Sequence, residues 1–260
     1  MATRLTAAAT GPRRRYPGGG HDVNDRLLQP VVSRCPEAFP AAAGLRVGGT
    51  AALVSKTSPK MKDLVEEAAE LQALLESKGW DFCFIGGLAI QRWSEPRLTK
   101  DMDLTMITGF GDEEPFVDFL LGHYTPRRSD ARDFALFHRV LLLQTASGIG
   151  IDIALAGLPF EELAVRRSIL VDYAPGIKLR TCTAEDLIVM KAFADRPQDR
   201  LDLRGILVRQ GTGNLDWNHI WKYLTPLAEV KESPAILTHL KALFAEVRAG
   251  EANLSRAIRG

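Results

Sequence analysis

The sequence predicts an α+β fold: a mixed β-sheet core with flanking helices and a helical C-terminal layer. Three observations carry that expectation. Between residues 82 and 156, short apolar or alternating runs bounded by glycine read as strands. Helix-period segments with recognisable starts and stops fall between and before them. Beyond Gly176 the pattern becomes mostly helical, which segregates helices to one part of the chain.

The elements follow in order. Leu64, Ala68, Leu71 and Leu75 fall at helical spacing in a helix opening at Met61, and Gly79 is its C-terminal stop. Phe82 to Ile85 is an apolar strand, Gly86-Gly87 a turn, and Leu88 to Trp93 a helix broken by Pro96. Asp101 to Ile107 is a second strand and Glu113 to Leu121 a helix. Phe134 to Thr145 and Ile149 to Ala156 are β-rich runs joined at Ser147-Gly148, a hairpin signal. Pro159 to Arg167 suits a helix with proline in its first turn. Thr183 and Asp186 resemble a capping box ahead of Leu187 to Ala194. Pro197 precedes a helix from Gln198 to Arg209 that Gly211 ends. Asp216 caps a helix through Val230, and Ser233 caps the last, which runs past Leu243. The expected division is a core over 61–182 and a helical region over 183–260 that completes the site.

Composition limits the function classes. The 260 residues are 46% hydrophobic and 25% charged, an ordinary balance for a globular protein. No apolar run is long enough to cross a bilayer, so no membrane partner is expected. Cys35, Cys83 and Cys182 are scattered, with neither a disulfide framework nor zinc-site spacing, which fits a reducing, cytoplasmic setting. Cys83 reads as a small buried thiol. The formal charge of +1 hides an asymmetry. Residues 1–60 hold nine Lys/Arg against three Asp/Glu, a net of +6, and the remainder holds 24 against 29, a net of −5. The patterned part is mildly acidic and lacks the broad basic surface of a double-stranded DNA binder.

Residues 1–60 are rich in Ala, Gly, Pro and Arg and show no sustained period. Such a segment buries too little apolar surface to offset its ordering entropy. A transit peptide and a disordered arm are two readings of it. A third, which we favour, is that translation opens at Met61 and the basic leader is not native.

The residues that point to chemistry lie at strand ends. Successive strand side chains alternate faces, so Asp101 and Asp103 share one face with Met102 on the other. Two like charges on one face repel, and a hard divalent cation relieves the repulsion. In Gly150-Ile151-Asp152-Ile153-Ala154 the two isoleucines face the core, so Asp152 faces away from it. If that strand pairs beside Asp101–Ile107, three carboxylates meet on one face and suit two Mg²⁺ ions. Gly86-Gly87 ends an apolar strand and opens a helix, where exposed N–H groups favour a phosphate. Simpler readings compete elsewhere. Lys191 and Asp195, four apart, suit a surface ion pair. Asp202 is balanced between a role in the site and a solvated charged face. Trp217 and Trp221 suit a core stripe and His138 a structural role. Arg127, Arg128 and Arg132 suit a solvated loop in preference to an RNA contact.

Together these residues resemble the nucleotidyltransferases of the DNA polymerase β type. More closely they resemble the AbiEii-type (abortive infection, type IV toxin–antitoxin) nucleotidyltransferase toxin family. The resemblance runs from about Asp81 to Arg209. It rests on Gly86-Gly87-x-Ala89, Arg97-x-Thr99-x-Asp101-x-Asp103, Ile151-Asp152, Glu185-Asp186-Leu187-Ile188-x-x-Lys191 and Arg196-x-x-Asp199-x-x-Asp202. It implies a nucleotidyltransferase-type core and transfer of a nucleotide from an NTP to a hydroxyl, with Mg²⁺ (or Mn²⁺) and release of pyrophosphate. Asp101, Asp103 and Asp152 would hold metal, and Asp152 would complete the site or act as base. Gly86, Gly87, Thr99, Lys191 and Arg196 would bind nucleotide. Asp199 would orient Lys191 or the acceptor. The acceptor would be a tRNA, a protein or a small molecule, with a cognate antitoxin as partner. An antibiotic-modifying nucleotidyltransferase and a non-catalytic antitoxin or scaffold of the same fold are the alternatives.

Overall fold

In the Asp101–Ile107 segment, Met102, Leu104 and Met106 are fully buried on one side, while Thr105 and Ile107 pack on the other. A strand buried on both faces must carry helices on both. The computed structural model, which describes residues 61–259, shows that arrangement. The elements are α1 (Met61–Ser77), β1 (Phe82–Phe84), α2 (Gly86–Trp93), β2 (Asp101–Ile107), α3 (Glu114–Leu121), β3 (Thr125–Pro126), α4 (Ala131–His138), β4 (Val140–Gln144), β5 (Gly150–Ala156), α5 (Pro159–Arg167), β6 (Ile169–Ala174), β7 (Ile177–Thr181), α6 (Ala184–Ala194), α7 (Pro197–Gln210), α8 (Trp217–Val230) and α9 (Ala235–Arg259). The predicted basic leader, with Cys35, lies outside the described residues.

The strands form one seven-stranded mixed sheet in the order β3-β4-β5-β2-β1-β7-β6. β2 pairs parallel with β5 and antiparallel with β1, and β1 pairs parallel with β7. One core joins α1, α3 and α4 to the sheet through Leu64, Leu71, Leu120, Ala135, Leu104 and Ile151. The other joins α2 to α6, α7, α8 and α9 through Ala89, Trp93, Leu187, Ile206, Leu224 and Leu240. Among the described residues no helix is long and apolar enough to cross a membrane.

Local signals account for most ends. Gly79 is left-handed at φ +66, and its N–H bonds the Glu76 carbonyl while Trp80 N–H bonds Leu75, a closed C-terminal turn. The Asp216 carboxylate accepts the His219 N–H at 3.0 Å and caps α8. Trp217 and Trp221 pack partly buried against the α-helical core, 5.7 Å apart.

Several expectations are corrected. Gly86 and Gly87 are the first residues of α2, not a separate turn. Residues 134–138 are helical: Ala131 and Ala135 bury on one face, Phe134 and His138 stack at 4.4 Å, and left-handed Arg139 ends the helix before β4. The chain after Gly176 does not turn helical at once, because β6 and β7 form an antiparallel hairpin across it. Outward-facing Ile169 and Leu170 blur the alternation there. The Thr183 hydroxyl caps α6 through the Asp186 N–H, but the Asp186 carboxylate accepts from Thr183, Arg167 and His219. The last helix begins at Ala235, two residues beyond the expected Ser233 cap.

The Trp93 indole N–H donates to the Cys182 carbonyl at 2.8 Å, and Gln210 donates to the Trp93 carbonyl at 2.7 Å, tying α2 to β7 and α7. Trp93→Phe orphans a buried carbonyl. The expected cost is about 1–3 kcal/mol, read as a lower urea midpoint with an unchanged m-value.

Candidate active site

Chain direction gathers the site. β1 runs antiparallel to β2, so the end of β1, where Gly86 and Gly87 follow, meets the start of β2. The Ile85 N–H bonds the Asp103 carbonyl at 2.9 Å and fixes that meeting. β5 runs parallel to β2 with Asp101 opposite Gly150 and Asp103 opposite Asp152. Asp101, Asp103 and Asp152 therefore open on the same edge of the sheet, on the face that carries α2.

Two glycines make room for this. Gly86 is left-handed at φ +51, and a Cβ there would overlap the Asp103 carboxylate. A Cβ on Gly87 would overlap the Thr99 side chain. The space is used: Gly87 N–H donates to Asp103 Oδ2 at 3.0 Å, placing a carboxylate on the open N-terminus of α2. Thr99 closes over Gly87 and donates from Oγ1 to the Asp101 carbonyl at 3.2 Å.

Crowding shows in the carboxyls' acidity. Burial pushes the Asp103 carboxyl up, the Gly87 hydrogen bond and Lys191 pull it down, and Asp101 pushes it up again. Asp152 is pushed up to about 6 by burial, with Arg127 opposing and the charges of Asp103 and Asp101 adding. Among the described residues no three metal-type side chains converge on one point. Two hold other partners: Asp103 the α2 amide, and Asp152 the Arg127 guanidinium. The donor set is oxygen-only, self-repelling and already host to a cation at Asp152, which fits a hard divalent ion.

Behind the carboxylates lies a buried charged cluster. Lys191 Nζ is 2.9 Å from Asp199 Oδ1 and 2.8 Å from Asp202 Oδ2. Exposures are 7% for Lys191, 1% for Asp199 and 3% for Asp202. Arg196 donates to Asp199 from Nε at 2.6 Å, and Arg97 donates to Asp202 from Nε at 2.9 Å. Burial alone would raise both aspartates. The bonds from Arg196 and Lys191 outweigh it at Asp199, as those from Arg97, Lys191 and Gln198 do at Asp202, and both carboxyls lie below the usual range. Lys191 thus does not pair with Asp195, which takes Arg200 and His239 instead. Asp202 is not on a solvated face.

Arg127 is the residue that sequence reasoning placed in solvent. Its N–H donates to the Leu142 carbonyl at 3.1 Å, and Leu142 lies opposite Asp152 in the β4–β5 ladder. Two successive strand registers bring it to Asp152, and no local motif announces that. Arg128 and Arg132 pair with Asp130 and with Asp118 and Glu114, away from the site.

No family model matches the chain, and no curated protein matches it. Solved structures similar to it include an antigenic nucleotidyltransferase-like protein from Paracoccidioides brasiliensis, 17% identical over 70% of this chain and 94% of that one, TM-score 0.43. The antibiotic-resistance factor ANT(2'')-Ia is 18% identical over 76% and 98%, TM-score 0.34. JHP933 from Helicobacter pylori is 11% identical over 75% and 97%, TM-score 0.33.

Two predictions follow from this geometry. Gly86→Ala forces an L-residue into the left-handed region and displaces Asp103; left-handed strain alone costs about 1–2 kcal/mol, measurable by chemical denaturation. Lys191→Met removes the cation that Asp199 and Asp202 share and leaves each buried carboxylate with one arginine, at an expected cost toward the low end of about 3–5 kcal/mol. The wild-type stabilisation from Asp199 and Asp202 is complete above the unfolded value of about 3.9 and is lost as pH falls through their lower folded values. In Lys191→Met both carboxyls rise, so the acid-unfolding midpoint, followed by circular dichroism, moves to higher pH.

Proposed function

We propose that this chain is a divalent-metal-dependent nucleotidyltransferase that moves a nucleotide from an NTP to a hydroxyl acceptor and releases pyrophosphate. The observation that carries the reading is the in-register pair Asp103–Asp152 on parallel strands, with Asp101 on the same face and a glycine-opened helix alongside. Asp101, Asp103 and Asp152 would hold Mg²⁺ or Mn²⁺. When bound, the metal would neutralise the triphosphate and make the acceptor hydroxyl easier to deprotonate.

The chain's own groups divide the remaining work. Asp152, in register with Asp103 on the neighbouring strand, would accept the hydroxyl proton. The positive N-terminal end of α2 would face phosphate oxygens, and the Thr99 hydroxyl would join it by exchanging its bond to the Asp101 carbonyl. Arg196, whose side chain is 65% exposed while bonded to Asp199, would offer positive charge to the triphosphate. Lys191, held between Asp199 and Asp202, sets the positive potential behind Asp103. Residues 183–260 thereby complete an active site whose carboxylates belong to 61–182. That reliance on the Lys191–Asp202 segment supports the toxin-like reading, with a cognate antitoxin as partner. The mildly acidic patterned chain favours a protein or compact acceptor over tRNA.

The test is label transfer. The full chain, α-labelled NTPs and Mg²⁺ or Mn²⁺ are combined in turn with bulk tRNA, cell protein and aminoglycosides. Transfer to one acceptor class is expected, with a fall of about 10²–10⁴-fold in Asp152→Asn and no transfer in Asp101→Asn or Asp103→Asn. Absence of transfer to every acceptor, or undiminished transfer in the Asp103 variant, refutes the reading.

A further inference from the structure

Arg127 is not part of the expected nucleotide site, yet its guanidinium is bound inside it. It donates from Nη2 to Asp152 Oδ1. Its Nη1 lies 3.1 Å from where a Gly150 Cβ would stand, and that same point crowds the Asp101 carboxylate. The guanidinium thus lies at Gly150, beside the residues that bracket the start of β5. Its ion pair with Asp152 is the one it makes among the described residues. The two side chains are 28% and 35% exposed, so the pair is open to water and weak. It is a single-oxygen contact and lacks the two-pronged clasp of Arg97 on Asp202.

We propose that Arg127 is the resident counter-cation of the carboxylate site, held on Asp152 in the metal-free protein and displaced from it by the divalent ion. The inference rests on the metal-binding reading above. Its logic is charge balance. Asp101, Asp103 and Asp152 share one strand edge, and the charges of Asp101 and Asp103 already burden Asp152. A cation must offset that repulsion before metal arrives, and Arg127 supplies it from a backbone anchored on Leu142 and a long unbranched side chain. A divalent ion carries twice the charge and accepts several oxygens, so it outcompetes one partly exposed arginine. Lys191 cannot do the same, because Asp199 and Asp202 hold it buried. Arg127 is therefore a positioning residue: it keeps Asp152 aimed at the site and yields it on loading.

The test measures metal alone. Mn²⁺ binding without nucleotide is followed by electron paramagnetic resonance for wild type, Arg127→Met, Arg127→Lys, Arg128→Met and Asp101→Asn/Asp152→Asn, with thermal melts in EDTA and in Mn²⁺. Arg127→Met should bind Mn²⁺ at least about 3-fold more tightly than wild type and gain more melting temperature from it, since binding to the folded state stabilises it. Arg127→Lys should fall between the two. Arg128→Met, which removes a nearby charge that pairs with Asp130, should bind like wild type. Wild-type or weaker Mn²⁺ affinity in Arg127→Met overturns the proposal, as does an equal gain in Arg128→Met, which would make the effect one of net charge. Unchanged Mn²⁺ affinity with weaker metal–NTP binding would make Arg127 a phosphate ligand and also overturns it. Mn²⁺ binding that survives in Asp101→Asn/Asp152→Asn, or is absent throughout, would instead refute the metal reading itself.

Discussion

The rest of the site answers to one constraint, the parallel register that sets Asp103 directly opposite Asp152. Parallel neighbours hold their side chains at a fixed spacing that the backbone cannot relax without breaking the ladder. Two carboxylates at matched positions, and a third two residues away, form a concentrated negative edge. Each adjacent feature offsets it. The Gly87 amide takes Asp103, Arg127 takes Asp152, and Lys191 with Arg196 adds a positive field from behind. The glycines opening α2 follow from the same demand, because a side chain at either one would occupy the space of Asp103 or Thr99.

The cluster of Lys191, Asp199 and Asp202 belongs to a different layer of the design. Buried ion pairs contribute little net stability, since desolvation consumes most of the attraction. Their worth here is placement. Lys191 lies in the last turn of α6, Asp199 and Asp202 lie on the first turns of α7, and Arg97 reaches Asp202 from the segment before β2. The cluster therefore ties the helical layer to the strand that carries Asp101 and Asp103. A lysine fully engaged by two carboxylates is also held at one position, so its field on Asp103 is constant.

Much of this was legible in the chain. The Asp-x-Asp spacing placed two carboxylates on one face because strand periodicity is geometric and local. Ile151 and Ile153 placed Asp152 on the side away from the core by the same rule, and both isoleucines are fully buried. Other features were not legible. The run Phe134-Ala135-Leu136-Phe137-His138 satisfies strand composition, but Ala131 and Ala135 set its helical face, and only packing reveals which period wins. Exposed Ile169 and Leu170 obscured the alternation of β6. Lys191 and Asp195 have ideal spacing for a helical ion pair, yet left-handed Asp195 ends the helix and turns its carboxylate to Arg200 and His239.

The sequence by itself determined the α+β class, the faces on which the candidate carboxylates lie, and a helix at the glycine pair, though not that the glycines are its first residues. Those are consequences of periodicity and backbone sterics, which act within a few residues. Tertiary structure alone decided that β2 and β5 are parallel neighbours in register, that Lys191 is shared by Asp199 and Asp202, and that Arg127 reaches Asp152. Each of these depends on pairing between residues 8 to 49 positions apart, where hydrogen-bond register and burial choose the partner and local spacing carries no information.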